Sequence, residues 1–279
     1  MKGQCLPYIM SSSNPIMKSV VGSQSTNYYG GYQQQGYDPY SGYAPAQSER
    51  PMTVDDVITS TGITLGVIIA FAAVNFGIGI YSQPLMMMLT IVGMFGGLVT
   101  VLISAFGKKF GSKALTLSYA AFEGLFVGGF SMMVSGFGIT VAKQDAGLLI
   151  GQAILGTIGV FVGMLYVYKT GAVKVTPRFT RILTGALIGV LVLALGNFAM
   201  AMFGIGNVLR DGGPIAIIFS LVCIVLAALS FLQDFDLADR LVRSGAPARY
   251  SWGVALGLAV TLVWLYTEIL RLLSYFQSR

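Results

Sequence analysis

The chain has no histidine. That absence removes Ser-His-Asp and Cys-His catalysis, the HExxH metal site and the usual zinc hydrolases. No enzyme is expected, and no cofactor is implied. It also removes the side chain that titrates near neutrality, so any pH sensing must use carboxylates. Cysteine is nearly as scarce. Cys5 lies near the start and Cys223 inside an apolar run, so no disulfide framework is expected. Charged residues make up only 10% of the 279 residues, against 55% hydrophobic, which is the balance of an integral membrane protein. The net charge of +6 does not point to nucleic acid, because the basic residues fall in short loops between apolar runs. The last of those runs carries no lysine, which excludes a retinal Schiff base. No internal repeat argues for an inverted-repeat transporter.

What is present is a series of seven apolar runs, at about 61–81, 85–106, 114–136, 146–168, 182–205, 214–233 and 251–273. Each is long enough to cross a bilayer, which takes roughly 20 residues. The expected fold is all-α, a polytopic membrane bundle of seven transmembrane helices over 53–279. Thr53-Val54-Asp55-Asp56 reads as a capping box at its start, with Asp in place of the usual Glu or Gln. Pro84 and Pro214 sit where a helix start tolerates proline. Residues 1–50 are rich in Gly, Ser, Gln and Tyr and poor in aliphatics. They are expected to form a disordered cytoplasmic tail with no signal peptide before it.

The loops after runs two, four and six hold Lys108, Lys109, Lys113, Lys169, Lys174, Arg178, Arg181, Arg240, Arg243 and Arg249. The opposite side holds Lys143 and Arg210. The positive-inside rule then places the N-terminus in the cytoplasm, with Arg271 and Arg279 mildly opposing. Small-xxx-small pairs at Gly93/Gly97, Gly124/Gly128, Gly159/Gly163, Gly185/Gly189 and Gly253/Gly257 are read as close helix packing.

Carboxylates inside or beside these runs are the candidate functional residues: Glu123, Asp234, Asp236 and Glu268. A charge there is costly unless it is neutral, paired or wet. Glu123 lies about 15 Å into the third run. It reads either as a structural hydrogen bonder or as a station on a proton or cation path. Asp234 and Asp236 close the sixth run at the cytoplasmic mouth. Their i, i+2 spacing sends them to different helix faces. Glu268 can pair with Arg271 three residues on, or face inward and share a proton with Asp234, since two carboxylates in one dry site do not both ionise readily. Counted from Ser251, Glu268 is about 25 Å from the cytoplasmic surface, which is hard to reconcile with an Asp234 contact.

Four segments resemble the Bax inhibitor family, also called the transmembrane Bax inhibitor motif or YccA-like family. They are Phe122-Glu-Gly-Leu-Phe-Val-Gly, Gln152-Ala-Ile-Leu-Gly-Thr-Ile-Gly-Val-Phe, Asp234-Phe-Asp and Tyr266-Thr-Glu-Ile-Leu. Ser12-Ser-Asn-Pro and Arg50-Pro-Met-Thr-Val-Asp-Asp resemble its actinobacterial branch. The resemblance implies a bundle with the C-terminal helix central. It also implies a pH-sensitive calcium leak in a bacterial plasma membrane, gated by an acidic pair that falls on Asp234 and Glu268. The chain departs from the family pattern in having Glu as the second acid, a longer connection between the last two runs and no Lys or Arg in the second run. The alternative is a non-conducting regulator that binds membrane proteases or other membrane proteins, with the bilayer and calcium ions as the remaining expected partners.

Overall fold

The computed structural model describes residues 50–107, 110–135, 143–204 and 209–277. The expected tail lies outside them, Arg50 aside. Seven helices follow in order: α1 (Val54–Tyr81), α2 (Gln83–Phe106), α3 (Lys113–Val134), α4 (Lys143–Thr170), α5 (Pro177–Met202), α6 (Pro214–Arg243) and α7 (Tyr250–Gln277). All seven contain a stretch long and apolar enough to span a membrane, and the protein is a multi-pass membrane bundle. No strand occurs among the described residues. A single antiparallel bridge joins Pro51 to Pro247.

The starts of these helices follow local chemistry. Thr53 caps α1, its hydroxyl accepting from Asp56 N while the Asp56 side chain accepts from Thr53 N. Ser112 and Thr176 cap α3 and α5 the same way. Proline occupies the first turns of α2, α5 and α6. The end of α6 corrects a sequence expectation. The run was expected to stop at Gln233, but the helix continues to Arg243. Nothing between those positions breaks a helix, and ion pairs Asp236–Arg240 and Asp239–Arg243 brace the extension at i, i+4. It stops where Gly245 takes φ 65°, with Gly245 N donating to Val242 O and Ala246 N to Leu241 O.

Helix α7 is the centre of the bundle. It packs on α1, α3, α4 and α6, and 67% of its spanning stretch is buried against 11% for α5. In lipid the drive to associate comes from packing rather than from release of water, so backbone approach matters. A Cβ placed on Gly93 would lie 2.5 Å from Phe122 O of α3, and one on Gly128 would overlap the Ala72 backbone of α1. Those two glycine pairs behave as expected. Gly253 meets the Phe110 ring. Gly159, Gly163, Gly185 and Gly189 have nothing near them, so two of the five pairs do not mediate packing within the chain. Buried polar links tie the helices further. Asn75 of α1 donates to Thr90 of α2 and to Leu125 O of α3, and Ser60 of α1 bonds Ser251 of α7.

Candidate functional site

The four carboxylates have separate surroundings. Asp234, on the continued part of α6, accepts a 2.7 Å hydrogen bond from Thr261 Oγ1 and lies beside Gly257. Asp236 turns away from α7 and pairs with Arg240, Nη2 to Oδ2 2.6 Å. The helix therefore separates the two aspartates as their spacing demands: Asp234 faces the bundle and Asp236 faces the basic rim.

Glu268 is 3% exposed. Ser220 Oγ of α6 donates to its Oε2 at 3.2 Å, and Arg271 Nη1 donates to its Oε1 at 2.7 Å. Arg271 is itself only 8% exposed, and its guanidinium sits over the Phe130 ring at 5.4 Å. Of the two partners open to Glu268 on sequence grounds, the structure takes Arg271.

Asp234 and Glu268 are not brought together. Thr261, which Asp234 meets, precedes Glu268 by two helical turns, about 10 Å of rise. Residues 257, 261 and 268 nonetheless share one face of α7, the face that meets α6. The seam between the two sites is apolar. Ala227, Phe231 and Leu265 belong to one buried cluster there, and all three are fully buried. This arrangement is two polar stations on one seam with a dry barrier between them. The depth mismatch seen in the sequence persists in the fold, because α6 continues past Asp234 instead of ending deeper.

Glu123 lies on another side of α7. It opens into a recess of about 450 Å³ between α2, α3 and α7, lined among others by Gly97, Leu98, Tyr119, Trp264 and Thr267. The Tyr119 side chain, one turn earlier on α3, is its hydrogen-bonding partner.

Sequence reading missed Thr261, Ser220 and Asn75. Ser and Thr are ordinary in spanning helices, so the first two carried no signal until α6 and α7 were placed face to face. Asn75 did carry one, being an amide inside the first apolar run. No group of three or more potential metal ligands occurs among the described residues.

The sequence matches the family described as Bax inhibitor 1 like over residues 14–278. No curated protein matches it.

Proposed function

The chain belongs to the Bax inhibitor 1 like family, and on that premise we propose that it is a pH-sensitive cation leak, with calcium as the ion, in a bacterial plasma membrane. The observation that carries this reading is the α6–α7 seam, where Asp234 of α6 accepts from Thr261 of α7 and Glu268 of α7 accepts from Ser220 of α6. A cation crossing along α7 would find a carboxylate on each side of the barrier formed by Ala227, Phe231 and Leu265. That barrier is closed, so conduction requires α6 and α7 to part. Protonation of Asp234 changes what Thr261 can donate to, and so couples the seam to pH. No catalytic step is assigned to the protein.

The N-terminus is proposed to be cytoplasmic. Met52 N donates to Ala246 O and Ala248 N to Arg50 O. This puts the start of α1 on the same side as the basic α6–α7 loop, which supports the placement.

A non-conducting regulator of membrane proteases is the second reading. It is favoured by the Glu268–Arg271 pair, which leaves one of the two acids already neutralised. Calcium flux into liposomes holding the purified full chain, followed from pH 6 to 8 with a trapped indicator, separates the two. Flux that varies with pH and loses that variation in Asp234→Asn supports the leak. Liposomes as tight as empty ones at every pH would overturn the leak and favour the regulator reading.

A further inference from the structure

The Glu123 recess has no part in the seam, and its chemistry points elsewhere. It lies at mid-span, since Gly97, Glu123 and Val263 are each two turns or more from the nearest end of their helices. Its α2 wall includes Met94, Leu98 and Leu102, which are 41%, 57% and 45% exposed. At that depth an opening between α2 and α7 faces the acyl chains of the bilayer. The lining contains no Lys or Arg. Gly97 faces the carboxylate so closely that a Cβ there would lie 2.9 Å from Glu123 Oε2. On the α2 side the carboxylate therefore meets the Gly97 backbone, with no side chain between them.

From these observations we infer that the recess binds an amphiphilic monocation, an alkyl amine or ammonium whose chain comes from the bilayer. A single carboxylate in an apolar wall needs a compensating charge or proton. The Tyr119, Phe126 and Trp264 rings lining the recess suit the face of a cationic head group. Aliphatic side chains, Leu98, Val101 and Val263 among them, suit its chain. The volume is within the range of small-molecule sites, roughly 300–1,000 Å³. A divalent metal ion is a poorer match. Calcium takes about six to eight oxygen ligands, and the recess offers a carboxylate, the Tyr119 phenol and a Thr267 hydroxyl already donating to Trp264 O. Fatty acids and anionic detergents place like charge against Glu123.

Trp264 lines the recess and supplies the readout. In a Trp252→Phe background it is the sole tryptophan. The full chain is placed in phosphatidylcholine nanodiscs and titrated with ω-bromododecylamine, ω-bromododecanol or ω-bromododecanoate. The amine should quench Trp264 saturably, at a concentration about tenfold below that needed for the alcohol, a difference of about 1.4 kcal/mol. The bromoacid should quench least. Glu123→Gln should abolish the preference while leaving partition into the bilayer unchanged. Unbrominated dodecylamine should restore the fluorescence of the Glu123 protein, a test that needs no variant at that position. Non-saturable quenching equal for the three probes would overturn the inference, as would an amine preference that survives Glu123→Gln or resists competition. None of these outcomes depends on whether the protein conducts calcium.

Discussion

Arg271 closes on Glu268 from the next turn of the same helix, Nη1 to Oε1 2.7 Å, with both side chains almost wholly buried. The second helix carries no basic residue, and the cation that Glu268 needs is supplied by α7 itself. A pair held within one helix does not have to break when α6 moves relative to α7. Of the two bonds to Glu268, the one from Ser220 crosses that seam. The arrangement holds Glu268 by a cation of its own helix and leaves Asp234 as the acid whose partner lies across the moving surface.

Removing Arg271 alone should therefore be severe. Arg271→Met leaves a buried carboxylate without its cation, a loss of about 3–5 kcal/mol. The double variant Glu268→Gln with Arg271→Met removes both charges and should recover most of it. Unfolding of the purified proteins in mixed micelles, by denaturing detergent or heat, measures both. A double variant no more stable than Arg271→Met would show that the loss is one of packing rather than of charge.

Asp234 and Glu268 should act independently. They are separated by about 10 Å of helix and share no partner, and effects at such distances add to within about 0.5 kcal/mol. Stabilities of Asp234→Asn, Glu268→Gln and their combination close the cycle. In flux, Asp234→Asn should remove most of the pH dependence and Glu268→Gln little of it. A strong coupling energy, or equal flux phenotypes, would mean that the two acids meet in a state other than this one.

The seven spans were legible because a bilayer imposes a length and a composition on each. Individual faces were less so. The chemistry that distinguishes Asp234 from Asp236 is a partner on another helix, Thr261, against one on the same helix, Arg240. Spacing alone showed only that the two aspartates diverge. The end of α6 was misplaced because hydropathy falls at Gln233 while helix formation does not. Glycine spacing was an ambiguous signal for a related reason. The same four-residue interval serves close packing at Gly124/Gly128 and an open face at Gly185/Gly189, and the sequence does not say which face has a neighbour.

That difference is measurable. Gly128→Ala places a methyl in the Ala72 backbone and should destabilise by about 1–3 kcal/mol, the usual cost of overpacking. Gly185→Ala meets nothing within 4 Å and should be neutral or stabilising by up to about 1 kcal/mol, from helix propensity. Thermal inactivation followed by size-exclusion chromatography ranks the two. Equal losses would mean that the α5 face is covered by something outside this chain.

The membrane orientation gives the last prediction. Ten basic residues lie in the three connections, or in the helix ends that flank them, on the α1 start side, against Lys143, Arg210 and Arg279 on the other. Arg271 no longer opposes this bias, because it is buried against Glu268 inside the bundle and is not a loop charge. The Met52–Ala246 backbone bond makes the α6–α7 loop a proxy for the start of α1, so a label in that loop reports on both. In a Cys5→Ser background the remaining cysteine, Cys223, is 1% exposed and should stay silent. Ser244→Cys should then be shielded from an impermeant maleimide in intact cells and labelled after permeabilisation. Asp211→Cys, at the exposed turn before α6, should be labelled without it. Labelling of Ser244→Cys in intact cells with Asp211→Cys protected would invert the protein, and with it the side of the membrane from which a change in pH reaches Asp234.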